Sequence, residues 1–158
     1  MVDRVFTLEQ ARALLPALRD LLNAANDELV EFHGQLKDAN LDFDCAEKNL
    51  LDGLPLPGRK DRNEDLPAGR AGFQQALDLL AQAQHDYIER FDYWIDRIAE
   101  TGVILRDIQA GLVDFPARQG DFQYLLCWRM GEADIEFWHR HHDGFRGRKP
   151  LAALVEYL

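Results

Sequence analysis

The segment Phe91–Phe115, FDYWIDRIAETGVILRDIQAGLVDF, is where the chain changes its period. Before Gly102 apolar residues recur in steps of three and four, the mark of one face of a helix. After Val103 they alternate, as along a half-buried strand. Glycine at 102 suits the stop of the helix that precedes it. The fold follows from reading outward from this junction in both directions.

Backward, Phe73, Leu77, Leu80, Gln84, Tyr87, Phe91, Trp94 and Ile98 form one seam. A second seam runs through Leu15, Leu18, Leu22, Ala25, Leu29, Phe32, Leu36, Ala39, Phe43, Ala46 and Leu50. Both have the heptad-like spacing of long amphipathic helices with a shared apolar side. Thr7 and Gln10 stand at the capping-box interval and mark the start. Pro16 falls early in the pattern, so the expectation is a short helix from Leu8 that breaks or bends near Leu14. Between the seams, Gly53–Gly72, GLPLPGRKDRNEDLPAGRAG, is rich in Pro, Gly and mixed charge and reads as a mobile loop over 53–72.

Forward, Val103–Ile108 and Leu112–Phe115 are strand candidates, with Pro116 ending the second. ARQGD (117–121) and MGEAD (130–134) read as turns. Between them Phe122, Tyr124, Leu126 and Trp128 point one way, and Leu125, Cys127 and Arg129 the other. Ile135, Phe137 and His139 share a face of the next strand, and Leu151–Leu158 suits a short helix or an extra edge. The fold class is therefore α+β. A long antiparallel helical hairpin (1–102) precedes a small three- to four-stranded antiparallel sheet and tail (103–158), within a single domain (1–158).

The formal net charge of -10 excludes a binder that grips nucleic acid over its whole surface, because phosphate neutralisation needs a basic footprint. The charge is uneven: residues 1–102 carry 11 basic and 20 acidic side chains, net -9, and residues 103–158 carry 7 and 8, net -1. The two cysteines, Cys45 and Cys127, form no CxxC pair. The opening MVDRVFTLEQ has no apolar leader, and no apolar run nears bilayer length. These features give the expectation of a cytoplasmic protein with no membrane association and no nucleic-acid partner.

Two constellations carry chemistry. His139, His141 and Asp143, with Glu132 in the turn before them, are the candidate metal ligands, a set fitting zinc or manganese. If the strand continues through His141, it and His139 share a face. The bland alternative is a polar strand end with solvated histidines. Arg129, Arg146, Arg148 and Lys149, interleaved with Gly144 and Gly147, are candidates for holding an anion, or for docking the tail onto acidic surface. On the second helix His85, Glu89, Asp92 and Asp96 form a stripe best read as a solvated face. No Ser/His/Asp set can be assembled.

The motifs GLVDFP (111–116), YLLCWRMGE (124–132), FWH (137–139) and GFRGRKP (144–150), with the opening FTLEQARALLP (6–16), resemble those of a group of small bacterial proteins known as a domain of unknown function, family 2203. The resemblance covers nearly the whole chain. It implies a bacterial origin and a hairpin-plus-sheet architecture, and it brings no activity. The family pattern takes in Gly131-Glu132, Trp138-His139 and the Gly144-x-x-Gly147-Arg148 run, but not His141 and His142. That shifts the candidate catalytic pair to Glu132 facing His139, with Arg129 and Arg148 nearby.

Two functions stay open. One is a non-enzymatic structural or protein-interaction module, homo-oligomeric through its helical seam and with a further protein partner at the loop. The other is a metal- or anion-dependent enzyme, or a ligand-binding protein, using Glu132, His139 and the arginine cluster.

Overall fold

Thr7 and Gln10 cap the first helix as their spacing implies. The Thr7 N–H donates to Gln10 Oε1 (3.0 Å) and the Gln10 N–H to Thr7 Oγ1 (3.1 Å), which satisfies amides that a helix start leaves unpaired. The computed structural model describes residues 4–53 and 66–158. In it α1 runs as one helix over Leu8–Asp52 with Pro16 inside it. The break expected near Leu14 does not occur. Proline removes one N–H and crowds the carbonyl of Arg12, but Ala11, Leu15, Leu18 and Leu22 are all buried around it. That packing carries the helix through.

The second helix, α2, spans Leu66–Ala99. The loop expected over 53–72 therefore ends earlier, because residues 66–72 are helical; residues 54–65 lie outside the described residues. Pro67 sits in the first turn, where its missing N–H has no helical partner to lose. The two glycines that suggested loop, Gly69 and Gly72, each cost about 1 kcal/mol in a helix, which its length tolerates.

Contacts divide the chain into two compact units, Glu28–Phe91 and Met1–Asp27 with Asp92–Leu158. In the first unit α1 and α2 pack together and antiparallel. Glu28 pairs with Arg90, His33 lies 6.1 Å from the Tyr87 ring, and Phe43 lies 5.2 Å from Phe73. The inner face of α2 departs from the expected seam at two points. Ala76 is buried and Ala83 half-buried, whereas Leu77 is 39% exposed and Gln84 is exposed. A helix advancing 100° per residue brings 76 and 83 in line with Phe73, Leu80 and Tyr87, and the smaller side chains take those places.

The second unit holds a five-stranded antiparallel sheet in the order β1-β2-β3-β4-β5, one strand more than expected. Its strands are β1 Ile104–Asp107, β2 Leu112–Gln119, β3 Phe122–Arg129, β4 Phe137–His139 and β5 Lys149–Pro150. β2 continues through Pro116 instead of ending there. In an antiparallel strand the N–H and C=O of one residue point to the same side. The Pro116 carbonyl accepts the Phe6 N–H (2.7 Å), so the missing donor also faces that edge, past the last β1 partner at Asp114. The β2–β3 turn is two residues long, Gly120-Asp121, with Gln119 opposite Phe122 and Gly120 at φ 60°.

Alternation sorts the sheet into two faces. Val113, Phe115, Leu126, Trp128 and Trp138 are fully buried on one, where Phe6 meets Phe115 edge-on (5.2 Å) and Arg19 lies over Trp128 (5.5 Å). Asn26 of α1 donates to the Ile108 carbonyl (3.0 Å). The other face carries Asp114, Cys127 and His139. After β5, Leu151–Tyr157 form a 3-10 helix, with Tyr157 edge-on to Trp138 (5.0 Å).

Candidate metal centre

Register brings the centre together. Asp114 on β2 stands directly opposite Cys127 on β3. His139 on β4 stands opposite Leu125, two residues from Cys127 and so on the same face. All three side chains are almost fully buried, at 1%, 1% and 3% exposure. One donor atom from each, Asp114 O, Cys127 Sγ and His139 N, lies within 4.8 Å of the others.

The outward-facing atoms of the cluster are taken. His139 Nδ1 lies 2.8 Å from the carbonyl oxygen of Arg140. A carbonyl only accepts, so Nδ1 carries a proton. Arg106 Nε donates to Asp114 Oδ2 (2.8 Å). That leaves His139 Nε2 and Asp114 Oδ1 facing each other at 3.0 Å. A bare lone pair does not sit against a carboxylate oxygen, so a proton lies between them. With it, His139 is an imidazolium. The hydrogen bonds to Asp114 and Cys127 outweigh the cost of burial and raise its pKa to about 10. Burial pushes the Asp114 carboxyl up, but hydrogen bonds from His139 and Arg106 overcome it and leave the group below its usual range.

The cluster forms the base of a cleft of about 340 Å³. Arg106 and Leu112 line its sides, and His141, His142, Asp143 and Phe145 line its mouth. Strand β4 ends at His139 and residues 141–142 form a turn, so His141 does not continue the alternation that would set it beside His139. It reaches the same cleft from the rim.

The remaining expected residues fall elsewhere. Glu132 does not face His139: both its oxygens lie 2.9 Å from Arg148 Nη1, and Oε1 also accepts the Arg129 N–H (2.7 Å). Its carbonyl accepts Trp128 Nε1 (2.9 Å). Arg148 is held between the rings of Phe137 (4.1 Å) and Phe145 (4.0 Å). Glu132 and Arg148 thus clamp the Phe145–Gly147 turn, one wall of the cleft, onto the β3–β4 hairpin. Arg129 extends over Phe145 (5.7 Å), Arg146 is exposed on the turn, and Lys149 lies 3.5 Å from Asp143 and over Trp138 (5.2 Å). The four basic candidates are not gathered into one anion pocket. On α2, His85 lies exposed, 3.7 Å from both Asp86 and Glu89.

Sequence reasoning missed Asp114, Cys127 and Arg106. One signal pointed to Asp114: it is the sole charge in the apolar run Leu112–Phe115. A carboxylate in such a position is buried only with partners.

Fold and centre define a class: an α+β protein with two long antiparallel helices followed by a five-stranded antiparallel sheet, the first part of α1 packing on one sheet face and a buried Asp-Cys-His cluster lying on the other. Residues 4–151 match the model of the family described as an uncharacterized conserved protein, DUF2203, and the chain belongs to that family. No curated protein and no solved structure matches it. No helix among the described residues is long and apolar enough to cross a membrane.

Proposed function

We propose that this chain is a zinc-binding protein, with Asp114 Oδ1, Cys127 Sγ and His139 Nε2 as ligands and the cleft giving access to the ion. The observation that carries the reading is the convergence of three unlike donors, two of which, His139 and Asp114, have their outer atoms already held. Ligating histidines donate their second N–H to a carbonyl or carboxylate, and ligating carboxylates are themselves hydrogen-bonded. The Arg140 carbonyl and Arg106 meet both requirements.

The donor set favours zinc over the alternative considered, manganese, because a thiolate suits the softer ion. Bond lengths of about 2.0–2.3 Å let one ion reach all three donors with small adjustments. Asp114, Cys127 and His139 would hold a zinc ion with three protein ligands, the number typical of catalytic rather than structural zinc, and the ion would supply Lewis-acid chemistry to a molecule in the cleft. Of the two functions the sequence left open, this geometry favours ligand binding or metal-assisted hydrolysis over an interaction module. The metal-free rival is the same cluster held as an Arg106–Asp114–His139 ion network.

The test is elemental analysis of untagged protein, followed by cobalt substitution. Stoichiometric zinc and a thiolate-to-cobalt charge-transfer band, both lost in Cys127→Ser, are expected. Metal-free protein with no rise in melting temperature on adding zinc would establish the ion network instead.

A further inference from the structure

We propose that the ligand of this centre is a medium-chain carboxylate, with its carboxylate at the metal end and its chain along a second groove on the same sheet face. This rests on the zinc reading for its polar half and on independent geometry for its apolar half.

The groove, about 990 Å³, adjoins the cleft, and His141 lines both. The floor is continuous: Ile104 stands opposite Asp114 across β1–β2, and Pro116 is two residues further along β2, hence on the same face. Val5, Ala99, Val103, Ile104 and Pro116 present carbon to the groove. Its charged lining is balanced, Arg4 and Arg118 against Asp96 and Glu100, so it selects by shape and apolar area rather than by charge. Ligand sites span about 300–1,000 Å³, and cleft and groove together suit an extended molecule better than a compact one. At the other end the charge is not balanced. A divalent ion, the Asp114 carboxylate, the Cys127 thiolate and the Arg106 guanidinium leave a net positive site, because Asp143, the other acid lining the cleft, is offset by Lys149 at 3.5 Å, and such a site draws an anionic head. A molecule anionic at one end and hydrocarbon along its length meets both conditions.

The experiment is a calorimetric titration of the zinc-loaded full chain with acetate, hexanoate, decanoate and 1-decanol. Affinity is expected to rise about two- to fourfold per added methylene while the groove fills. Decanoate should bind about tenfold more tightly than decanol, an advantage lost in Cys127→Ser. Val5→Glu, at a side chain already half exposed, should weaken decanoate on the order of tenfold and leave acetate unchanged. Ile104→Thr should act in the same direction. Equal affinity for acetate and decanoate, or a chain-length slope that neither variant changes, would overturn the proposal. If elemental analysis finds no zinc, the zinc reading and the carboxylate preference fall together, and the chain-length slope still decides the groove.

Discussion

Arg148 Nη1 lies 2.9 Å from both carboxylate oxygens of Glu132, sixteen residues before it, and its guanidinium is sandwiched between Phe137 and Phe145. Only 14% of the Arg148 side chain and 24% of the Glu132 side chain are exposed, so the pair is largely shielded from solvent screening. Arg148→Ala should lower stability by about 1.5–3 kcal/mol in urea denaturation. Arg148→Lys should recover little of it, because an ammonium neither stacks between two rings nor offers a planar fork. Full recovery with lysine would show that charge alone matters here.

Arg106 tests the layer behind the proposed ligands. It touches Asp114 on the oxygen turned away from His139. Arg106→Gln should leave zinc stoichiometry intact and weaken affinity about 10–100-fold, the usual cost of losing an outer partner of a ligand. Competition against a chromogenic chelator measures it. An unchanged affinity would remove Arg106 from the centre.

Protein stripped of metal should show a stability plateau with two limbs. The folded pKa of His139, about 10, lies above its ordinary 6.5, so its contribution is complete below pH 6.5 and is lost as pH rises through 10. Asp114 is lowered from 3.8, so its contribution is present above that value and is lost as pH falls. His139→Gln should flatten the alkaline limb of a melting-temperature profile taken in chelator, and Asp114→Asn should change both limbs because it removes a partner of His139. A wild-type profile level from pH 6 to pH 10 would contradict the protonated pairing.

Gly111 holds the end of β2 against β3. Its φ is 68°, a Cβ there would lie 2.5 Å from Met130 Cβ, and its carbonyl accepts the Met130 N–H (2.9 Å). Gly111→Ala should therefore cost more than the left-handed backbone alone, about 2–4 kcal/mol. Gly120 has a similar φ of 60° but nothing within 4 Å of a Cβ, so Gly120→Ala should cost about 1 kcal/mol. Thermal melts of the two variants separate strain from collision, and equal losses would mean that Met130 gives way.

The hairpin and the strand alternation were legible because each is a periodic pattern inside one segment. Leu15–Leu29 and Phe122–Trp128 show their buried faces in the spacing alone. Pro16 and Pro116 misled for a common reason: local preference argues for a break, while burial around Pro16 offsets its cost and Pro116, past the last β1 partner, has no β1 ladder bond to donate. The centre was half legible. His139 stood out by composition, but its partners lie twelve and twenty-five residues away, and only strand register reveals that they meet. Glu132 was drawn toward His139 by chain proximity across the turn. The Phe137–Phe145 sandwich that commits it to Arg148 depends on side chains that no spacing rule connects.

The two faces of the sheet also bear on how this protein can change. Val113, Phe115, Leu126 and Trp128 belong to the apolar layer that folds the chain, and their immediate neighbours Asp114 and Cys127 to the layer that carries the buried polar cluster. Strand alternation keeps the two sets apart although they are interleaved in sequence. A substitution at 114, 127 or 139 changes the polar cluster without replacing any side chain of the apolar core on the opposite face. A lineage with this sheet can therefore exchange one polar cluster for another without first acquiring a new fold.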